Sequence, residues 1–584
     1  MRILRKQNEN QVSMRGARNK IRLGWIVGFV AIVCLLSPLP LLVAQEIHDL
    51  SLLVSPRYPC VWPVGMQQHL VIPSRTFGPG AFHRDMVVID EHTGTQWDAP
   101  AHFVPPPDSG LPGAGPNGLI TGEKVPAWQF IGEACVIDVR EKVDAADKGA
   151  SFLISPEIVQ EWERKHRPLG AGDVVLFRSD YSDKYYKPLA EGGERFVHTV
   201  LRSETPGWPA PTPQCMEYLA SRGVMTLGLD GASMGPVPDL AVATHQAGGK
   251  HGMVWMECGT NLGSLPVTGG AYVLLPAKHK GGSGNEARAI GFSNPKTAKR
   301  LIDSAKAKKI ADLSVVMDDD LPVTWTGGGP GEEATRYLGK TLNAFSKTRG
   351  PYFARTHTLD SQAGTHVVTP SYALPPKGFD RKNFSADVRR ELDAFEKKNG
   401  TLPAGGITVD RLPLDQMVGD AHPIDVSSLM GTVEKDKWPA SPTISLEFIK
   451  QHEQKRPIKA GEVVIFVSGY SDAHFKPLPE APEVDRLFAA PLSGKAEGWP
   501  APAPEVLAYL ADKGVRCVGT DGPTMGGVES SRSMQVYWTA ASKGIVLIEF
   551  LTGVKSLPEN FYFIFAPIRI AGLRAGYGRA LAAY

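Results

Sequence analysis

Residues 207–235 read GWPAPTPQCMEYLASRGVMTLGLDGASMG, and residues 498–526 read GWPAPAPEVLAYLADKGVRCVGTDGPTMG. The two stretches share the Gly-Trp-Pro opening at Trp208 and Trp499, a helix-like run behind it, and an Asp-Gly turn at Asp230 and Asp521. Their offset is 291 residues (498 − 207). That period is far too long for a solenoid unit, so it marks two copies of a domain. The match continues outward in both directions. AGDVVLFRSDYSDKYYKPL (171–189) pairs with AGEVVIFVSGYSDAHFKPL (460–478), Ile137-Asp138-Val139 with Ile424-Asp425-Val426, and NLGSLP (261–266) with GVKSLP (553–558). Nearer the start, Asp49-Leu50-Ser51 pairs with Asp312-Leu313-Ser314, followed by Trp62 and Trp325 respectively.

Each copy alternates strand and helix signals. In the first, a β-type run at 134–139 precedes a helical stretch at 155–166 with Pro156 near its start, where helices accept proline. A buried-type strand at 173–178, a helix at 213–222, a strand at 224–229 and a last strand at 270–276 follow. The alternation predicts a mixed α/β domain. The expected organisation is a first domain over 45–280, a Lys-, Gly- and Ser-rich solvated linker with a short basic helix over 281–309, a second copy over 310–572, and a tail over 573–584.

The composition fits a folded protein: of 584 residues, 42% are hydrophobic and 21% charged, with a formal net charge of +2. No polyanionic partner is implied, and the basic patch or reader motif that nucleic-acid binding needs is missing. No GxGxxG or GxxxxGK[ST] loop occurs, so no nucleotide partner is expected, and no G-x-S-x-G elbow points to a serine hydrolase. The first 44 residues differ from the rest. Arg2, Arg5, Lys6, Arg15, Arg18, Lys20 and Arg22 precede an apolar run from Leu23 to Val43, and polar sequence resumes at Gln45. This is the layout of a secretory signal, or of a membrane anchor if uncleaved, and either places the body outside the cytoplasm. Beyond Cys34 in that run, Cys60, Cys135, Cys215, Cys258 and Cys517 show no CxxC spacing; buried free thiols are expected, with a disulfide among the first four as the alternative.

The chemistry concentrates in HTGTQWDAPAHF, residues 92–103. His92, Gln96, Asp98 and His102 fall in a segment where Gly94 permits a tight turn and Pro100 blocks a continuous helix, so their side chains can converge. Imidazoles with a carboxylate form a ligand set for a divalent metal, zinc or manganese.

The segment resembles the H-x-G-T-H-x-D-x-P-x-H-F signature of the cyclase family, which includes kynurenine formamidases and isatin hydrolases. Every chemical position agrees except the second histidine, which is Gln96 here. His245 and Glu257, twelve residues apart, fit the family's downstream pair, and Asp230 and Ser233 fit its preceding turn. The resemblance implies two tandem cyclase-like domains of the swivelling β/β/α type arranged as a pseudo-dimer. It implies a metal site of His92, Asp98, His245 and Glu257 with Gln96 as a weaker, neutral member, and His102 as the catalytic acid/base. Trp62, Trp97 and His251 are candidates to line a pocket for a small-molecule substrate, and an oligomer is compatible with the family. Two functions remain open at this stage: a metal-dependent hydrolase of an N-formyl or cyclic amide (arylformamidase-like), or an inactive metal- or ligand-binding protein. An exported enzyme fits cytosolic tryptophan catabolism poorly, so kynurenine formamidase serves as a family label rather than a substrate.

The second copy reads QAGTHVVTPSY at 362–372. Gln362 replaces His92, His366 replaces Gln96, Val368 replaces Asp98, Tyr372 replaces His102 and Tyr537 replaces His245, while Glu549 keeps the place of Glu257. A degenerate repeat that keeps its fold and cannot hold a catalytic metal is expected.

Overall fold

The central strand of the first copy, Asp173–Arg178, is Val-Val-Leu-Phe in its middle and buried on both faces, as a strand with parallel neighbours on both sides requires. Those neighbours are Ile131–Asp138 and Thr226–Leu229. The helix Pro156–Lys165 starts on its proline and buries Val159 and Trp162; the Trp162 indole donates to the Val136 carbonyl at 2.9 Å and ties helix to sheet. The computed structural model describes residues 46–325, 337–348, 350–400, 406–479 and 485–584. The expected signal or anchor over 1–44 lies outside them.

In the first half, Ile47–Asp49, Gly284–Phe292, Gly270–Pro276, Ile131–Asp138, Asp173–Arg178, Thr226–Leu229, Val254–Glu257 and Gln96–Asp98 lie side by side in that order. Gln96–Asp98 then returns to pair with Gly284–Phe292, so all but the edge strand Ile47–Asp49 close into a barrel. The second half repeats this circuit through Ala575–Ala583, Tyr562–Pro567, Val418–Asp425, Val463–Val467, Cys517–Thr520, Val546–Glu549 and His366–Val368, with Ile310–Asp312 at the edge. The equivalent Asp-Gly turns also match: Asp230 accepts from the Ser179 amide, and Asp521 from the Ser468 amide, at 2.9 Å each. The fold is thus mixed α/β, two barrel-centred domains of one topology in tandem.

A four-stranded sheet joins the halves, and it is built from both. Leu70–Arg75 and Arg84–Asp90 come from the first copy, Leu338–Asn343 and Ala354–Asp360 from the second. At its centre Arg84–Asp90 runs antiparallel to Ala354–Asp360, with Val88 opposite Thr358. Position 358 is position 88 plus the motif offset of 270 (362 − 92), so equivalent residues face each other. Asp90 opposite Thr356 and Met86 opposite Asp360 complete the symmetry. Such self-pairing is the mark of an isologous, twofold contact, here within one chain.

The expected linker and tail are corrected. Gly284–Phe292 is a fully buried strand of the first barrel, and Pro295–Lys306 is an amphipathic helix that buries Ala298, Leu301, Ile302 and Ala305. Ala575–Ala583 is the matching buried strand of the second barrel. Both were disguised by the same polar residues. Arg288 and Arg579 are buried, paired with Asp49 and Asp312 at 2.8 Å. The two halves, arranged as the expected pseudo-dimer, share part of their core. One apolar cluster runs from Leu274 and Ile290 in the first half to Ile564 and Leu581 in the second, and residues 45–584 form one compact unit. Cys60, Cys135, Cys215, Cys258 and Cys517 are free and buried. No helix among the described residues is long and apolar enough to cross a membrane.

With its core shared, residues 45–584 are expected to unfold in one cooperative calorimetric transition; two resolved transitions would show that the halves fold independently.

Candidate metal centre and its pocket

The motif after the Arg84–Asp90 strand is held at each step. The Asp90 carboxylate accepts the His92 amide at 2.8 Å. Gly94 has φ +66°, and a Cβ there would sit 2.6 Å from Val54 Cγ2. The Thr95 hydroxyl donates to the Cys258 carbonyl at 2.6 Å and accepts from the Leu52 amide at 2.8 Å. Strand Gln96–Asp98 then inserts between Val254–Glu257 and Gly284–Phe292, with Gln96 opposite Glu257 and Asp98 opposite Trp255. This ladder brings together motifs some 150 residues apart in sequence. Strand alternation sends Gln96 and Asp98 to one face and Trp97 to the other. Gly284 makes room for the site, since a Cβ would lie 2.6 Å from His92 Cε1.

Five side chains converge. His92 Nδ1 lies 3.3 Å from Asp98 Oδ1, His102 Nε2 4.0 Å from Asp98 Oδ2, and His245 Nε2 3.6 Å from Asp98 Oδ2 and 3.2 Å from Glu257 Oε1. The His92 and His102 rings stack at 4.0 Å. Two tautomers follow from carbonyl partners. His102 Nδ1–H donates to Phe353 O at 2.7 Å, and His245, on helix Ala241–Gly249, donates Nδ1–H to Ala241 O at 2.6 Å. Both therefore turn Nε2 toward the carboxylates. Gln96 Nε2 lies 3.1 Å from His92 Nδ1 and donates to Glu257 Oε2 at 2.9 Å, while the Met234 amide donates to Glu257 Oε1 at 2.6 Å.

The electrostatics are those of a site arranged around positive charge. Burial alone would lower the His92 imidazole, but Asp98, Asp90 and Glu91 outweigh it and raise it to about 9. Burial would raise Asp98, yet the surrounding histidines hold it at about 2. Burial and the charge on His92 push His102 down to about 3, leaving it neutral. Glu257 is raised by burial and by the Asp98 charge. Two carboxylates thus share a buried site, and Asp98 Oδ1 and His92 Nε2 are buried without a hydrogen-bond partner. Buried polar atoms without partners and like charges at such burial are costly, and a divalent cation answers both. Two sets of donor atoms can hold one: His92, Asp98 and His102, and Asp98, His245 and Glu257. Asp98 belongs to both.

A cavity of about 320 Å³ opens above these groups, with Trp62, Phe103 and Phe196 from the first half and Pro351 and Tyr352 from the second in its walls. Trp62 lines the pocket as expected. Trp97 does not: it is fully buried on the opposite face of its strand, 5.5 Å from the Phe130 ring. His251 does not either; it lies outside the pocket, hydrogen-bonded to Glu217 at 2.7 Å. His102, expected as an acid/base, also lies within donor range of the centre. Sequence reading missed Trp255, whose indole donates to Asp98 Oδ2 at 3.0 Å; its place two residues before Glu257 on a strand was the available signal. It also missed Tyr352 and Phe353, which no local pattern marks because they arrive from the other copy.

In the second half the equivalent residues cluster without a metal set. His366 Nε2 pairs with Glu549 Oε2 at 3.0 Å, and the Tyr537 hydroxyl donates to Glu549 Oε1 at 2.7 Å. Val368 joins the apolar core. Among the described residues, no group of three or more metal-competent side chains occurs in that half.

A family model described as putative cyclase matches residues 48–236 and again 311–526, more than half of the chain. An isatin hydrolase of Roseibium aggregatum is 27% identical over 216 residues, 36% of this chain and 75% of that protein. A kynurenine formamidase of Erythrobacter litoralis is 26% identical over 249 residues, 42% of this chain and 93% of that protein. Among solved structures, isatin hydrolase A from Labrenzia aggregata, bound to benzyl benzoate, is 26% identical and covers 42% of this chain and 92% of its own, with a TM-score of 0.35.

Because both donor sets use Asp98, Asp98→Ala is expected to abolish divalent-metal binding in elemental analysis. Gln96→His, which puts an imidazole between His92 and Glu257, is expected to tighten it by at least tenfold. Unchanged metal content in Asp98→Ala would rule out this centre.

Proposed function

The chain belongs to the putative cyclase family, and on that premise we propose that its N-terminal half is a metal-dependent hydrolase of an amide bond, N-formyl or cyclic, in a small aromatic molecule. The observation that carries this reading is the convergence of His92, His102, His245 and Glu257, around the fully buried Asp98, at the floor of one mostly apolar pocket. A bound zinc or manganese ion would supply Lewis-acid polarisation of the scissile carbonyl and acidify water.

The protein's own groups do the rest. His102 is neutral, with its proton fixed on Nδ1 by the Phe353 carbonyl. Its Nε2 lone pair can take the proton of the attacking water and return it to the leaving nitrogen. The Trp255 indole and the Met234 amide hold Asp98 and Glu257 in place, as partners behind a ligand set do. Trp62, Phe103 and Tyr352 offer flat apolar walls to an aromatic ring. The relatives named above, an isatin hydrolase and a kynurenine formamidase, support a bond of this class. Residues 1–44 support export, so the body would act outside the cytoplasm; cell fractionation checks this.

The test is a panel of isatin, N-formylkynurenine and simple lactams, with metal-stripped protein as control. His102→Ala is expected to lower kcat by about 10²–10⁴-fold. Metal retained in that variant identifies His102 as the acid/base, and metal lost identifies it as a ligand. A metal-loaded protein inert on the whole panel would leave a metal-binding protein without turnover.

A further inference from the structure

The walls of the N-terminal pocket bear on what its substrate can carry. Away from the floor they are largely hydrocarbon, with Val61, Trp62, Val64 and Met66 on one side and Val197 and Val237 on another. Ala241 and Val242 add methyl groups from the first turn of helix Ala241–Gly249, and Pro351 and Tyr352 close the pocket from the second half. Three of the polar wall groups already face the protein. The Cys60 thiol lies 3.4 Å from the Ser55 carbonyl, the Cys258 thiol 3.6 Å from the Ala232 carbonyl, and Ser233 Oγ 3.2 Å from Glu257 Oε1. Among the described residues that line the cavity, none is Lys, Arg or Asp, and the one acid is Glu257 at the floor.

Cations close by in sequence are directed elsewhere. Arg195 precedes the lining residue Phe196, yet its guanidinium pairs with Asp144 at 2.6 Å and lies over the Tyr185 ring at 4.0 Å. Lys250, at the end of the helix that carries His245, pairs with Glu217. The twin cavity of the second half is lined by Arg75 and Arg84, which are cross-strand partners on the first half's hairpin. The matching cross-strand partners on the second half's hairpin are Asn343 and Ala354, so those positions bring no guanidinium to the N-terminal pocket. A charged group drawn against a hydrocarbon wall loses its water and gains no counter-charge, which costs far more than burying an uncharged ring.

We infer that the substrate is an uncharged aromatic amide, and that amides of amino acids, which carry a carboxylate and an ammonium group, are turned away by the pocket walls. The inference rests on the hydrolase reading and narrows its substrate. Two pairs of compounds test it: isatin-5-sulfonate against 5-methylsulfonylisatin, and 4-formamidobenzenesulfonate against methyl 4-formamidophenyl sulfone. Members of a pair are close in shape and differ by one negative charge, and a sulfonate is a weak metal ligand, so the walls are probed rather than the floor. With purified, metal-loaded protein, kcat/KM divided by each compound's own hydroxide-catalysed rate is expected to be at least tenfold higher for the neutral member. Val64 lines the pocket and is 69% exposed, so Val64→Arg adds a guanidinium at the rim without disturbing the core. It should raise kcat/KM for the sulfonate at least threefold. A ratio below tenfold, or a sulfonate rate that Val64→Arg leaves unchanged, would overturn the inference. If no compound is turned over, the hydrolase reading fails, and dissociation constants of the same pairs from calorimetric titration decide the inference. Tenfold tighter binding of the neutral member then supports it, and a smaller difference or no binding of either member overturns it.

Discussion

The antiparallel pairing of Arg84–Asp90 with Ala354–Asp360 is the contact on which the geometry of the candidate metal centre depends. It sits on the local twofold axis and carries each copy's hairpin across the other's motif. The Phe353 amide donates to the His102 carbonyl at 2.8 Å and the His83 amide to the Tyr372 carbonyl at 3.0 Å, the same bond made once in each direction. In the N-terminal half this crossing delivers the Phe353 carbonyl that fixes the His102 tautomer, and Tyr352 as pocket wall. A lone N-terminal copy would lack both. The degenerate copy is therefore a positioning element, supplied at the effective concentration of a tether rather than by dimerisation.

The same boundary hides a second polar system. Glu91 accepts from Ser283 Oγ at 2.9 Å and faces His357 Nε2 at 3.2 Å. His357 reaches the Tyr337 hydroxyl at 2.7 Å, and that hydroxyl reaches His279 at 2.9 Å. His279 faces Glu286 at 3.1 Å, and Glu286 accepts from Tyr577 at 2.7 Å. These groups lie in the interior, and Glu286 and Tyr577 are themselves twofold equivalents (286 + 291). Burying acids costs more than burying hydrocarbon unless each is matched, so the network favours one mutual orientation of the halves over a sliding apolar contact. Ser283 Oγ also lies 2.7 Å from the Phe353 carbonyl, within reach of its one proton, which joins this network to the acceptor that orients His102.

Legibility in the sequence followed locality. The duplication, the α/β pattern and strands such as Asp173–Arg178 and Gly270–Pro276 were readable because each is a contiguous apolar signal. The convergence of His92 and Asp98 with His245 and Glu257 came from the family signature, since nothing local predicts the ladder that joins Gln96 to Glu257. Strand Gly284–Phe292 was hidden because its Asn285, Glu286 and Arg288 look solvated while being buried at the junction. Trp97 was misplaced because its neighbours in sequence face the metal centre and strand alternation turns it away. His251 follows the helix that carries His245, yet it points to solvent and Glu217.

The decay of the second site has a physical order. Asp98 is the one residue common to both donor sets, and its counterpart is Val368, now part of a hydrophobic core. Once that carboxylate is gone, a cation has no shared anchor, and the remaining acid must be satisfied by the protein. Glu549 is held that way: Tyr537 and the Met525 amide donate to one oxygen at 2.7 Å each, and the other faces His366 Nε2 at 3.0 Å. Tyr537 stands where His245 stood, so a hydroxyl donor replaces an imidazole that would otherwise turn a lone pair toward the acid. The substitutions at 368 and 537 are thus complementary, one removing charge and the other supplying a hydrogen bond. Together they keep the barrel closed around a dry acid without a metal, which is what a half retained for its surface and its hairpin requires.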